Sequence, residues 1–336
     1  MRIRMKLFHQ RNHSQFNASQ SGAVGDFRMK VRLTHIDGKL PNLALMKLSW
    51  FHKTNDDDVW FSKSCHRDLF EPSEFDRVYG SAIFTRSINA QNLLKREFPG
   101  AILGGTGTDN PDTADSIAGS KDRLDYSIYP NYRHSIGFSQ RGCRLKCKFC
   151  VVPTKEGKIR DNLSIHQIWR GADYPKEIIL LDNDFFGQLD WEEKSKEIID
   201  GDFKVSFCQG LNIRLIREDG ARYLKQMKYY NLDFNARRIY TAYDNPKDEK
   251  TFWRGFNVLT NSGINPRHIM VYMLVGYWPN ETIDDVMDRF NQIKSSGAMA
   301  YPMVYNDKDK ELKKFQRWVI RRYDQYIPWE QYDNTI

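Results

Sequence analysis

Three of the five cysteines, Cys143, Cys147 and Cys150, fall within eight residues of one another in the stretch Gly142-Cys-Arg-Leu-Lys-Cys-Lys-Phe-Cys150. A Cys-x3-Cys-x2-Cys run can bring three thiolates together from one flexible turn. A four-iron cubane normally takes four cysteines. Three would leave one iron open to an exogenous ligand, as an open catalytic metal site differs from a closed structural one. Structural zinc asks for four protein ligands and paired Cys-x2-Cys knuckles. His134 and His166 lie nearest, and neither has that spacing. An odd cysteine count in a large chain also argues against a disulfide framework. Cys208 reads as a packed core thiol.

The elements that must position these cysteines form two alternating series. In the first, Val31–Thr34, Val59–Phe61, Arg77–Phe84 and Ala101–Leu103 read as strands, and Tyr126–Tyr129 as a fifth. Asn42–Lys53 and Ser87–Phe98 read as helices. Such alternation predicts a parallel sheet covered on both faces, a small Rossmann-like or flavodoxin-like domain over residues 30–125. In the second series the strands are Tyr132–Phe138, Glu177–Leu181, Lys204–Cys208, Arg238–Tyr243, Ile269–Val275 and Met299–Val304. Ser164-Ile-His-Gln167 is a capping-box pattern opening a helix, Thr282-Ile-Asp-Asp285 opens another, and Gly297 is placed to end it. Six β/α units favour a partial (β/α)6 TIM-like barrel, and a second doubly wound sheet stays open on pattern alone. The α/β chain closes with a helix over Glu311–Tyr323 and an aromatic tail to residue 336, expected to pack on the barrel as a satellite cluster.

Residues 1–29 carry Arg2, Arg4, Lys6, Arg11 and Arg28 against Asp26 alone, and read as a disordered extension. At 336 residues, 40% hydrophobic and 28% charged, the composition is that of a globular chain. No apolar run suits a membrane span, so the expectation is no membrane and a cytoplasmic protein. The net charge of +8 is spread among Asp and Glu and encourages a nucleic-acid partner only mildly.

The cysteine spacing, Phe149 just before the last cysteine, and the placement after the first strand of a six-unit series resemble the radical S-adenosylmethionine superfamily, over residues 130–306. The resemblance implies a [4Fe–4S] cluster on Cys143, Cys147 and Cys150. S-adenosylmethionine would bind at the strand ends and be cleaved reductively to a 5′-deoxyadenosyl radical, with the substrate and reaction subclass unnamed. An electron donor of flavodoxin or ferredoxin type is the implied partner. Its cofactor-binding positions map onto Phe149; Asp182 and Asn183, where the family commonly has Gly-Gly-Glu; Gln209, Asn212 and Arg214; Tyr243 and Asp244; and Val275 and Gly276. The last pair opens Gly276-Tyr-Trp-Pro279-Asn-Glu281-Thr282, one residue longer before Pro279 than the family's turn. Residues 30–120 resemble the cobalamin-binding-like domain that often precedes such a barrel. The Asp-x-His-x-x-Gly loop that ligates cobalt is absent from His35-Ile-Asp-Gly-Lys-Leu-Pro-Asn42, so a domain without cobalamin is expected. Methylthiotransferases of this architecture hold a second cluster on three N-terminal cysteines, and only Cys65 is present. The rival reading is a non-catalytic iron–sulfur or nucleic-acid-binding protein retaining the fold.

Overall fold

The computed structural model describes residues 28–119 and 123–333; the expected extension falls, but for its last two residues, outside them. The N-terminal unit has strands β1 (Lys30–His35), β2 (Asp58–Ser62), β3 (Arg77–Ser81) and β4 (Ile102–Gly104). They form one parallel sheet in the order β2-β1-β3-β4. Helices α1 (Leu43–Thr54), α2 (Ile88–Glu97) and α3 (Ala114–Ala118) accompany it. The two-residue period of a strand sorts the side chains. Val31, Leu33 and Tyr79 pack with Leu45, Met46 and Leu48 of α1, whereas Val78 packs with Leu94 of α2 and with Phe98. Arg32 lies between Val31 and Leu33, so it is forced into the α2 face and is fully buried there. It stacks over Phe98 at 4.6 Å and donates to Glu71 and to the carbonyls of Ser64 and His66.

The fifth strand expected at Tyr126–Tyr129 is instead a 3-10 turn over Tyr126–Ile128. The Asp125 carboxylate accepts from the Ser127 amide at 2.8 Å. That local side-chain bond competes with the extended backbone a strand requires.

The C-terminal series supplies all six expected strands: β5 (Ser135–Gly137), β6 (Glu177–Leu180), β7 (Lys204–Phe207), β9 (Ile239–Ala242), β10 (Ile269–Val275) and β11 (Met299–Val304), plus an unexpected two-residue β8 (Lys228–Tyr229). They form two parallel sheets, β5-β6-β7-β8 and β11-β10-β9. Among the described residues the sheets meet at a single β-bridge, Leu211 to Thr241. There the Leu211 amide donates to the Tyr240 carbonyl at 2.8 Å and the Thr241 hydroxyl to the Leu211 carbonyl at 2.9 Å. Helices α4 (Val152–Lys155), α5 (Ile165–Ile168), α6 (Trp191–Asp200), α7 (Glu218–Gln226), α8 (Glu249–Asn261), α9 (Ile283–Ser295) and α10 (Lys310–Ile320) lie between and after the strands. One core joins one face of both sheets to these helices, with Ile178, Val205, Ile239 and Val271 meeting Ile198, Leu224, Phe252 and Phe290.

The capping box at Ser164 is formed, α9 opens on a second one at Thr282, and Gly297 stands at φ 82° just after α9. In the tail Trp318 and Tyr332 are buried and Trp329 packs against Phe315, but Tyr326 is 80% exposed. Among the described residues no helix is long and apolar enough to cross a membrane.

Gly255, in the middle of α8, has no room for a side chain. A Cβ there would lie 2.1 Å from the Ile213 carbonyl oxygen. Gly255→Ala should therefore lower stability by about 2 kcal/mol or more in urea unfolding, although alanine is the better helix former by about 1 kcal/mol. An unchanged or raised midpoint would show that α8 is not pressed on the turn after β7.

Candidate functional site

The cysteines occupy a loop closed at its neck. Arg141 and Arg160 form an antiparallel bridge, amide to carbonyl at 3.0 and 3.2 Å. Inside the neck Gly142 has φ 77°, and a Cβ would meet the Lys158 carbonyl at 2.5 Å, so this position demands glycine. Its amide donates to Glu156 Oε2 at 3.1 Å, and the Asn183 amide group donates to the same oxygen at 2.9 Å. Asn183 thus holds the loop from the end of β6.

Asp182 holds it one step earlier. Its carboxylate accepts from the Ser139 hydroxyl (2.6 Å), the Ser139 and Gln140 amides (3.2 and 2.8 Å) and Gln188 (2.7 Å). The buried Lys194 ammonium completes the group by donating to Gln188 and to the Ser139 carbonyl. Burial pushes the Asp182 carboxyl above its ordinary range, against the pull of these donors. Both of its oxygens are spent on the chain leading into the cysteines.

Past the neck, side chains from successive strand ends join in one row. Arg144, between the first two cysteines, pairs with Asp184 at 2.7 Å. Asn212 donates to Asp184 at 3.4 Å and accepts from Arg214 Nε at 3.1 Å, and Arg214 pairs with Asp248 at 3.0 Å. The row runs from the end of β6 past β7 to the start of α8. Burial pushes the Cys143 and Cys147 thiols up; the Asp184 charge adds to this at Cys143, and Arg214 opposes it at Cys147, where Asp244 also acts. The Leu145 amide points at Cys143 Sγ at 3.4 Å, a contact that favours a thiolate. Phe149 makes edge contacts with Tyr277 (5.4 Å) and Trp278 (6.4 Å), which follow β10.

The three cysteines, Phe149, Asn183, Asn212, Arg214 and Asp244 therefore share one neighbourhood at the C-terminal strand ends. Gln209 is exposed beside Gly210. Tyr243 and Val275 turn their side chains into the outer core instead, Tyr243 stacking on Phe252 at 4.5 Å. All three thiols are free and partly exposed. Among the described residues no three His, Cys, Asp or Glu side chains are grouped so as to hold a metal ion. The donor set fits a cluster in kind and in number from one loop, and the loop has to draw its sulfurs closer to hold one.

The sequence reading missed Arg289. It sits at 4% exposure on the apolar face of α9, in register with Val286 and Ile293. Its guanidinium donates to the carbonyls of Tyr243 (3.1 Å), Asp244 (3.2 Å) and Leu274 (2.8 Å) and to Glu281 (2.7 Å). Glu281 in turn accepts from the Gly276 amide at 2.8 Å. A charged residue interrupting an apolar helical stripe was the available signal. Asp244 is held besides by the Leu274 amide on its carboxylate and by Trp278 Nε1 on its carbonyl. Burial pushes its carboxyl up to about 6.

No protein-family model matches this chain, and no curated protein does.

Arg289→Met should cost about 3–5 kcal/mol, because Glu281 stays buried without its cation; chemical denaturation measures this, and a loss under 1 kcal/mol would refute the clamp. For Asp244, the folded state binds its proton at a higher pH than the unfolded chain, whose carboxyl titrates near 3.8. Its contribution is full below pH about 4 and is lost as pH rises through about 6, at most about 3 kcal/mol. Asp244→Asn keeps an acceptor for the Leu274 amide and never ionises. Its melting temperature relative to the parent should rise between pH 4 and pH 7, and a pH-independent difference would contradict the assignment.

Proposed function

We propose that this chain is a radical S-adenosylmethionine enzyme whose [4Fe–4S] cluster is held by Cys143, Cys147 and Cys150. The observation that carries the reading is the juxtaposition of the cysteine loop with Asn212, Arg214 and Asp244, polar side chains drawn from successive strand ends. Three unrelated incidental thiols would not need such a wall. When bound, the cluster supplies the electron that cleaves S-adenosylmethionine to methionine and a 5′-deoxyadenosyl radical. On this reading the strands β5, β6, β7, β9, β10 and β11 curve in sequence as a partial barrel, whose weak joint is the Leu211–Thr241 bridge.

The chain's own residues have binding and shielding tasks. Arg214 offers a guanidinium to the methionyl carboxylate, an interaction strengthened by charge on both partners. Asn212 keeps that guanidinium oriented through its side-chain oxygen. Asn183 and Asp182 shape the loop rather than meet the cofactor, since their side chains are engaged with Glu156 and with Ser139 and Gln140. Phe149, Tyr277 and Trp278 form an aromatic wall that excludes water beside the cysteines. The Arg289–Glu281 pair fixes the backbone at Asp244 and Gly276. Cobalamin has no part in the reading. His35, the imidazole closest to the missing cobalt-ligand loop, is buried and hydrogen-bonded to Tyr129 at 3.0 Å. A flavodoxin or ferredoxin type of protein would deliver the electron, and the substrate is not assigned by these residues.

Anaerobically reconstituted protein with dithionite should convert S-adenosylmethionine to 5′-deoxyadenosine and methionine, and Cys147→Ala should abolish the conversion. A well-formed cubane that neither binds nor cleaves S-adenosylmethionine would end this reading.

A further inference from the structure

The outer side of the cysteine loop is strongly basic. Residues 141–160 contain seven Arg and Lys against one acid, Glu156. Read along the chain these charges are interleaved with the cysteines and attract little notice; folding separates them. Arg144, Lys146 and Lys148 are exposed while the cysteines between them are partly covered, and Lys158 is exposed on the return limb. The nearby acids are engaged elsewhere: Asp184 with Arg144, Glu156 with Gly142 and Asn183, Asp161 with Arg141 and Arg160. Lys146, Lys148 and Lys158 have no ion-pair partner among the described residues. They present uncompensated positive charge to solvent.

A line of aromatic rings starts at the same loop. Phe149 contacts Tyr277 at 5.4 Å and Tyr277 contacts Tyr305 at 4.8 Å, both edge-on. Tyr305, at the outer end, is 54% exposed. An acidic protein would answer the charge but has no use for a line of aromatic rings that ends exposed at Tyr305. Unpaired bases beside a phosphate backbone answer both features, because every base has a face that stacks and every linkage carries a charge. A duplex keeps its bases stacked inside and could use only the lysines.

We propose that this face binds single-stranded nucleic acid, with phosphates on Lys146, Lys148 and Lys158 and bases along Tyr305, Tyr277 and Phe149. The ring line leads an unpaired base to Phe149, which lies between Cys147 and Cys150. The proposal rests on the reading above for the chemistry at the cysteines and adds the class of substrate. Its test uses metal-free full-length protein, so failure to bind and failure to cleave S-adenosylmethionine are read separately.

Fluorescence anisotropy with mixed-sequence 20-nucleotide RNA and DNA probes, single-stranded and duplex, over a salt series measures the binding. Single strands should bind, with RNA and DNA arms telling which sugar is preferred. The triple variant Lys146→Ala, Lys148→Ala, Lys158→Ala should weaken binding at least tenfold and lower the log–log salt slope by about 2. Removing three exposed lysines elsewhere (Lys95, Lys196 and Lys250 to Ala) should change it little. Tyr305→Ala should weaken single strands and leave duplex binding as it was. Equal losses from the two triple variants, or indifference to Tyr305→Ala, would overturn the proposal. It would equally be overturned if the first triple variant kept its nucleic-acid affinity and lost only reduction by an acidic flavodoxin.

Discussion

The guanidinium of Arg289 is the constraint on which the site geometry depends. Buried in α9, it turns both terminal nitrogens to protein acceptors, three strand-end carbonyls and the Glu281 carboxylate, and leaves Nε unpartnered. A buried ion pair of this kind adds little net stability over an apolar pair of the same shape. What it gives is position. The backbone after β9, the end of β10 and the turn from Gly276 to Glu281 are referred to one rigid planar group. Asp244 and Trp278 inherit their places from it, and Phe149 packs on Trp278.

The cysteine loop is fixed from the other side by different means. Asp182 gathers four donors at its entrance, and Glu156 with Asn183 closes its neck at Gly142. The N-terminal unit adds a third hold. Lys155, in α4 just after the cysteines, donates to the carbonyls of Thr108 and Asn110 beyond β4, and Arg160 pairs with Asp115 of α3. A cavity of about 210 Å³ remains where these limbs meet the ends of β3 and β4. The loop is thus tethered at both ends, while the segment that carries the thiols stays irregular.

Much of this was legible in the sequence because the signals were periodic or local. Every expected strand but one appears, since alternating β-branched and aromatic residues report burial on a sheet. The capping box at Ser164 and the helix start at Thr282 are short-range chemistry and fold as written. The failure at Tyr126–Tyr129 was also local, an aspartate whose side chain outbids the strand for an amide. Two-residue β8 was too short to leave a pattern. Near the cysteines, the positions of Arg214 and Asp244 just past β7 and β9 follow from the strand pattern, and both charges act on Cys147. For Asp182 the sequence gives a carboxylate's place but not which donors will reach it first, and here Ser139, Gln140 and Gln188 do. Arg289 lay beyond reach for a related reason. Its partners are backbone carbonyls up to 46 residues away, and carbonyls are invisible in composition.

The bridge between Leu211 and Thr241 has a consequence for how this protein can vary. Asn212 follows one end of it directly and Asp244 lies three residues past the other. The residues beside the cysteine loop are therefore chain neighbours of those that pair one sheet with the other, over the core that both sheets share. A substitution at Asn212 or Asp244 therefore also acts on the backbone that carries the bridge. The side chains facing the cysteines and the contact between the sheets are set at adjacent positions, so an evolving lineage could not vary one freely without touching the other.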